Sequence, residues 1–213
     1  DLHYSGMPYI RTAMMVKIKQ ELIFFIILSS VVCALILFFF FRSVRVVSFS
    51  MLVVGMGVVW SLGLMSMFGY KITILTGLIP TFLIVIGIEN AIYLLNKYHS
   101  EYKKHGNKIK SLQRVIQKTG KAIFFTNLAT AIGFGAFMGT RNQTLFEFGV
   151  ISSLSVLCIF ILALSLIPVF FSFLAPPEEK HVQHLDKTYL TKMIDTISHM
   201  MFNRRKQVFY ITI

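Results

Sequence analysis

A carboxylate, Glu89, lies deep inside a long apolar stretch of the chain. Placing a carboxyl group in the core of a bilayer costs about 2.5 to 3.5 kcal/mol on insertion scales, so such a group usually faces protein or a water-filled cavity. An apolar environment also disfavours the charged form, which lets a carboxyl group take up and release a proton near physiological pH. We therefore interpret Glu89 as a candidate proton carrier. The alternative is a permanently protonated side chain that only hydrogen-bonds a neighbouring helix.

Two polar residues follow Glu89 closely. Asn90 is adjacent to it, and an amide within a membrane often serves to fasten two helices together. Tyr93 lies four residues further on, so on a helix it shares a face with Glu89. We interpret Asn90 either as a member of the proton site or as a helix contact. For Tyr93 we favour a role as an anchor at the cytoplasmic interface over a contact with the carboxyl group.

A polar and small face is predicted in the next apolar stretch. Thr126, Thr130 and Gly133 recur there at helical spacing, with Asn127 at the edge of the same face. At a rise of about 1.5 Å per residue, Glu89 lies roughly 10 Å from the cytoplasmic end of its predicted helix, and Asn127 and Thr130 lie roughly 7 and 12 Å in. This shared depth predicts that Glu89 faces Thr126, Asn127 and Thr130 in a proton site. Plain helix packing is the alternative for these three residues.

The remaining polar and special residues suggest little chemistry. Gly77 and Pro80 predict a kink in the outer half of the helix that carries Glu89, because proline removes a backbone hydrogen bond. His181 and His184 have no third or fourth ligand at a spacing typical of zinc sites. No nucleophile motif or phosphate-binding loop is present. We therefore expect no catalytic residue, no metal and no cofactor, and a protein that is not an enzyme.

The elements that must position these residues are membrane-spanning helices. Hydrophobic residues make up 55% of the 213 residues and charged residues only 14%, which leaves too little polar surface for a soluble domain. The net charge of +12 is clustered between long apolar runs, a pattern that orients a membrane protein. We therefore predict an all-α integral membrane protein surrounded by membrane lipids, with no nucleic-acid partner.

Five apolar runs are long enough to span a bilayer, which needs about 20 residues each. Together they predict a transmembrane core at residues 22–174, with spans at residues 22–41, 46–70, 72–96, 122–140 and 145–174. Residues 1–21 are interpreted as the end of an external domain and its lead-in. Beyond the core, residues 175–207 are interpreted as a cytoplasmic linker and residues 208–213 as the start of a further span.

The segment at residues 97–121 is rich in lysine and carries an apolar stripe at helical spacing. This pattern predicts an amphipathic helix that lies on the membrane surface. The positive-inside rule places it in the cytoplasm, where its charge either only fixes the topology or also binds anionic lipid head groups. Alternation of the spans then places residues 1–21 outside. Because the chain shows no signal peptide, we expect it to be an internal piece of a longer protein.

Two motifs carry a resemblance to a known family. Gly87-Ile-Glu89-Asn90-Ala-Ile-Tyr-Leu-Leu-Asn-Lys-Tyr-His, followed by Thr126-Asn127-Leu-Ala-Thr130-Ala-Ile-Gly133-Phe, closely resembles the membrane core of resistance-nodulation-division (RND) exporters, especially the mycobacterial-large-type (MMPL) branch. The hinge at residues 41–45 and the lead-in at residues 5–10 fit the same pattern. The five-helix unit also resembles the sterol-sensing domain.

The resemblance implies a twelve-helix transporter made of two halves, each with a large external domain after its first helix. This chain would supply the second to sixth helices of the first half, in a multi-pass protein of the bacterial inner membrane. Glu89 occupies the position of a carboxylate that takes protons from outside and releases them inside, which drives export of lipids or other amphiphiles. The implied partners are that substrate and the rest of the transporter, with a homo-oligomer or an accessory protein as further candidates.

One departure from the family pattern keeps two other functions open. Drug-exporting members typically have two adjacent aspartates where this chain has Glu89 and Asn90. The first alternative is a lipid-binding regulatory domain similar to the sterol-sensing domain. The second is a membrane scaffold for a partner protein that has lost transport.

Overall fold

A computed structural model of the chain describes the backbone of residues 7–173 and the side chains of residues 16, 17 and 20–172. Residues 7–173 are helical almost throughout and contain no strand, which confirms the predicted all-α class. The helices are α1 Met7–Phe41, α2 Val44–Met67, α3 Ile74–Gly77, α4 Ile79–His105, α5 Lys108–Gly135 and α6 Gln143–Phe173, with a 3-10 turn at Ala136–Gly139. The predicted linker at 175–207 and further span at 208–213 lie outside the described residues.

Five stretches of the described chain are long and apolar enough to cross a membrane, the number that the sequence predicts. They are Gln20–Phe41, Val44–Met67, Ile74–His105, Lys108–Gly139 and Gln143–Ser172. The third and fourth stretches are 32 residues each. At about 1.5 Å per residue they are about 48 Å long, against a hydrocarbon core of about 30 Å. Both must therefore tilt or project beyond the bilayer.

The basic segment at residues 97–121 is helical but does not form a helix of its own. α4 continues through it to His105, and α5 begins at Lys108. Between them, Gly106 takes the left-handed φ of 63° that glycine adopts without strain, and this ends α4. The structure thus corrects the expectation of a separate helix on the membrane surface, since each half of the segment is continuous with a span.

The apolar stripe within that segment is divided by the fold. Val115 is buried, whereas Ile109 and Ile116 are exposed. Asn107 starts the helix by accepting a hydrogen bond from the backbone N–H of Lys110 at 3.1 Å. With its first turn capped in this way, α5 extends without interruption from the lysine-rich residues into the apolar span.

The third span is interrupted where the sequence predicts a kink. α3 ends at Gly77, Leu78 forms a link, and α4 begins at Ile79 with Pro80 in its first turn. Proline lacks the N–H that would continue the ladder of the preceding helix. Gly77 is buried against Leu22 of α1, and the side chain of Leu22 would collide with any Cβ at this position.

Two glycines allow α2 and α4 to approach α6 closely. Ile159 of α6 packs against the backbone of α2 at Gly57 and of α4 at Gly87. A Cβ at Gly87 would lie 2.6 Å from Cδ1 of Ile159, so no larger residue fits without movement. About one turn further along α6, Ser155 and Ser61 of α2 share a buried hydrogen bond of 2.9 Å. These contacts hold α2, α4 and α6 together behind the candidate site.

Candidate functional site

Two asparagines join α4 to α5 in the interior of the helix bundle. The side-chain amide of Asn90 donates to Oδ1 of Asn127 at 3.2 Å, and the amide of Asn127 donates to Oδ1 of Asn90 at 2.9 Å. The Asn127 amide also donates to the carbonyl of Ile123 at 2.9 Å. Both side chains are buried. This reciprocal pair fixes the register of the two helices and gives Asn90 the role of a helix contact.

Glu89 points away from this pair. Consecutive residues of an α-helix are about 100° apart around the axis, so the turn of α4 that aims Asn90 at α5 carries Glu89 towards the outer surface. Its side chain is exposed in the described structure. Asn90, and not Glu89, makes the hydrogen bonds to Asn127, while Glu89 lines a cavity together with Thr126 of α5. The two asparagines nevertheless place this turn of α4 level with the matching turn of α5.

A small cavity lies between the two helices beside Glu89. Its volume is about 140 Å³, enough for several water molecules. The lining residues are Glu89, Asn90 and Tyr93 of α4 and Ala122, Ile123 and Thr126 of α5. The carboxylate, the phenol and the hydroxyl group can all exchange hydrogen bonds with water. The site is therefore a groove between α4 and α5 with room for water, one of the two environments that the sequence predicts for such a carboxyl group.

The two threonines are placed differently with respect to this cavity. The hydroxyl of Thr126 donates to the carbonyl of Ala122 at 3.1 Å, and Thr126 is exposed at the cavity. The hydroxyl of Thr130 donates to the carbonyl of Thr126 at 3.0 Å, and Thr130 is not among the lining residues. Of the predicted set, Glu89, Asn90 and Thr126 therefore line the cavity. Asn127 supports it from behind, and Thr130 lies beyond it.

The cavity lies near the middle of the helical stretch that carries Glu89. Glu89 is 15 residues from Ile74 and 16 from His105, the two ends of its span. At about 1.5 Å per residue, the carboxyl group lies about 22 to 24 Å from either end. It is thus close to the midpoint of this 32-residue stretch, whose end lies beyond the predicted span at residues 72–96.

An ion-pair cluster near the ends of α4 and α5 was not anticipated from the sequence. Glu101 is buried, and its Oε2 atom lies 3.8 Å from Nη1 of Arg114 and 3.6 Å from Nε2 of His105. Arg114 and His105 also contact each other. Glu101 is the single acidic residue in the basic segment at 97–121. A lone carboxylate among so many cations could have predicted an ion pair from the sequence. The cluster ties the two helices together far from the cavity.

No group of three His, Cys, Asp or Glu side chains that could hold a metal ion occurs in the part of the chain that the structure describes. Cys33 is buried and Cys158 is half-buried, and both are free thiols. His181 and His184 lie outside the described residues.

Comparisons with known proteins place these features in a family. A family model described as the MMPL family matches residues 3–200. A membrane protein of Methanocaldococcus jannaschii is 24% identical over 183 residues, which cover 86% of this chain and 46% of that protein. Protein dispatched homolog 3 of Mus musculus is 28% identical over 95 residues, which cover 45% of this chain and 7% of that protein. The chain thus spans about half the length of the archaeal relative and a small part of the mouse one.

Proposed function

Since this chain belongs to the MMPL family, a family of membrane transporters, we propose that it forms half of the membrane core of a proton-driven RND-type exporter. Glu89 is the proton carrier in this proposal. The observation that carries it is the position of Glu89 near the middle of the third span, in a cavity between α4 and α5 that has room for water. A carboxyl group within a membrane-spanning helix is costly, so its presence there points to a function.

The exposure of Glu89 calls for a partner element. A carboxyl group in the middle of a span is not stable against hydrocarbon, so protein must cover the outer face of α4 and α5 around Glu89. Helices of the second half of the transporter provide that cover in our proposal.

The proton cycle follows from the electrostatics of this groove. Protonated Glu89 is neutral, and an apolar face against it is tolerated. After release of the proton, the carboxylate needs water or a donor from the facing helices. The two states of Glu89 thus favour different arrangements of the groove and its cover, and this couples proton passage to helix movement. The movement drives export of a lipid or another amphiphile through external domains, in a bacterial inner membrane.

The asparagine pair gives this cycle one carboxyl group in the groove instead of two. Asn90 stands where related exporters carry a second acid, and its amide is bonded on both sides to Asn127. An amide does not titrate, so one proton passes through this half per cycle. The pair also keeps α4 and α5 together, so that the movement takes place against the facing half.

The test is substitution of Glu89 in the intact protein. Glutamine keeps the shape and hydrogen-bonding reach of a protonated glutamate but cannot ionise. We expect Glu89→Gln to abolish proton flux, read with a pH-sensitive dye in proteoliposomes, and to fail to rescue a strain that lacks the protein. Glu89→Asp should keep part of the activity. Glu21→Gln, on an exposed glutamate of α1, is the matched control and should behave as wild type. Full activity of Glu89→Gln at matched membrane abundance would overturn the proposal.

A second candidate function rests on the same asparagines. A neutral, reciprocally bonded amide pair holds α4 against α5 without any proton transfer. A regulatory lipid-binding domain or a scaffold for a partner protein would need this lock and no more. In that case Glu89 would be a structural hydrogen-bonding group, and Glu89→Gln would leave function unchanged.

A further inference from the structure

Three titratable residues follow one line along the outer face of α4. Glu89, Tyr93 and Lys97 are spaced four residues apart, and all three are exposed in the described structure. Side chains four residues apart are neighbours on a helix, with Cβ atoms about 6 Å apart. The line therefore extends from the middle of the third span towards the end that the basic segment identifies as cytoplasmic.

The first two residues of this line share a cavity. Glu89 and Tyr93 both line the space of about 140 Å³ between α4 and α5, and the Tyr93 side chain is 50% exposed. The opposing wall is formed by Ala122 and Ile123, whose side chains carry no exchangeable proton, and by Thr126, whose hydroxyl donates to the carbonyl of Ala122 in its own helix. Within the cavity, the Tyr93 hydroxyl is thus the next group after Glu89 that can both accept and donate a proton.

We propose that Tyr93 relays the proton that Glu89 releases towards Lys97, the next exposed residue of this line on α4. This inference rests on the proposed function and names the exit path for it. The carboxyl O–H of Glu89 gives its proton to a water molecule in the cavity, which leaves Glu89 as a carboxylate. The Tyr93 oxygen accepts a proton from that water while its own O–H proton passes to water nearer Lys97. Tyr93 is neutral before and after the transfer.

Lys97 acts at the end of this path by its charge. Its ammonium group is exposed about 12 Å along the helix from Glu89, at a rise of about 1.5 Å per residue. A charged group at that place keeps the mouth of the groove hydrated and repels a released proton into bulk water. Two other exposed cations, Lys118 and Lys121, lie on α5 just before the cavity residue Ala122. Their positive charges add to the electrostatic potential of Lys97.

A role as a simple interface anchor fits other tyrosines of α4 better. Tyr98 is buried, and its ring packs against Tyr102 and against Phe171 of α6. That cluster anchors the end of α4 to its neighbours. Tyr93 lies one turn closer to the carboxyl group, and its ring borders the cavity.

The experiment measures proton flux in proteoliposomes that contain the intact protein and a pH-sensitive dye. Tyr93→Phe removes only the hydroxyl group, and Tyr102→Phe makes the same change outside the cavity lining. We expect flux to fall by about tenfold or more in Tyr93→Phe, because a positioned proton-transfer group contributes factors of about 10² to 10⁴. Tyr102→Phe should match wild type. Imidazole, a small proton carrier, should restore part of the flux in Tyr93→Phe, an effect that a packing defect would not show.

Glu89→Gln, measured alongside, separates the two hypotheses. Wild-type flux in both Glu89→Gln and Tyr93→Phe would refute the proposed function itself. Loss of flux in Glu89→Gln together with wild-type flux in Tyr93→Phe would refute the relay alone. If Tyr93→Phe lowers the thermal stability, Tyr93→His supplies a second proton-carrying side chain. Flux in Tyr93→His that stays as low as in Tyr93→Phe, without rescue by imidazole, would also overturn the relay.

Discussion

Asn90 of α4 and Asn127 of α5 exchange two hydrogen bonds, of 3.2 and 2.9 Å, in the residue position next to Glu89. This pair decides the orientation of the turn that carries the candidate proton carrier. Because Asn90 is held inwards, Glu89 must lie on the outer face of the bundle, about 100° around the helix. Adjacent residues of α4 thus have different tasks. Asn90 holds α4 to α5, and Glu89 presents its carboxyl group to whatever element covers the outer face.

Removal of one asparagine should destabilise the bundle. Asn127→Ala leaves the buried amide of Asn90 without its partner, and we expect a loss of about 1 to 3 kcal/mol in the free energy of unfolding. The measurement is reversible unfolding in detergent. In a double-mutant cycle with Asn90→Ala, the coupling energy should be about 0.6 to 1.7 kcal/mol, the range of hydrogen bonds between membrane helices.

Thr130→Val is the matched control for the asparagine pair. Among the described residues, the Thr130 hydroxyl bonds only the carbonyl of Thr126 in its own helix, so we expect a change within about 0.5 kcal/mol. A coupling energy near zero between Asn90 and Asn127 would contradict the lock.

A methyl group at Gly87 should be destabilising because of Ile159. A Cβ there would lie 2.6 Å from Cδ1 of Ile159 and 2.9 Å from Cγ2 of Val54. We expect Gly87→Ala to cost about 1 to 3 kcal/mol, the usual range for overpacking. Ile159→Val, which removes Cδ1, should recover part of that cost when it is combined with Gly87→Ala.

Gly133 offers the control for this substitution. A Cβ at Gly133 meets no atom within 4 Å, so Gly133→Ala should be neutral or slightly stabilising in α5, since alanine favours a helix more than glycine does. Equal losses at the two glycines, measured by thermal unfolding, would show that the close approach of Ile159 is not the cause.

The predicted topology can be tested by labelling single cysteines. With Cys33 and Cys158 replaced by alanine, cysteines are placed at the exposed positions Lys110 and Arg141. Charge bias and alternation place position 110 inside and position 141 outside. An impermeant maleimide should therefore label position 141 in intact cells and position 110 only after permeabilisation. The reverse pattern would invert the topology and, with it, the direction of the proposed proton exit.

The extent of the spans illustrates how far sequence patterns reach. The apolar runs are separated by charges, and their lengths match the thickness of a bilayer, so the number of spans follows from composition alone. The end of α4 and the start of α5 cannot be predicted in this way. The lysine-rich residues at 97–121 are good helix formers, and they extend both spans beyond the membrane core. An apolar stripe then looks like a separate surface helix, although Val115 belongs to the packed interior.

The sequence by itself determined that this chain is a five-span, all-α membrane protein and that the turn containing Glu89 is the place to look for function. The reason is that the cost of a carboxyl group in a membrane depends on hydrophobicity along the chain, which a sequence displays directly. Only the tertiary structure decided which neighbour each side chain meets. The rotation of α4 is set by contacts distant in sequence, Asn90 with Asn127 and Gly87 with Ile159, and these contacts turn Glu89 outwards into a groove with Tyr93 and Thr126.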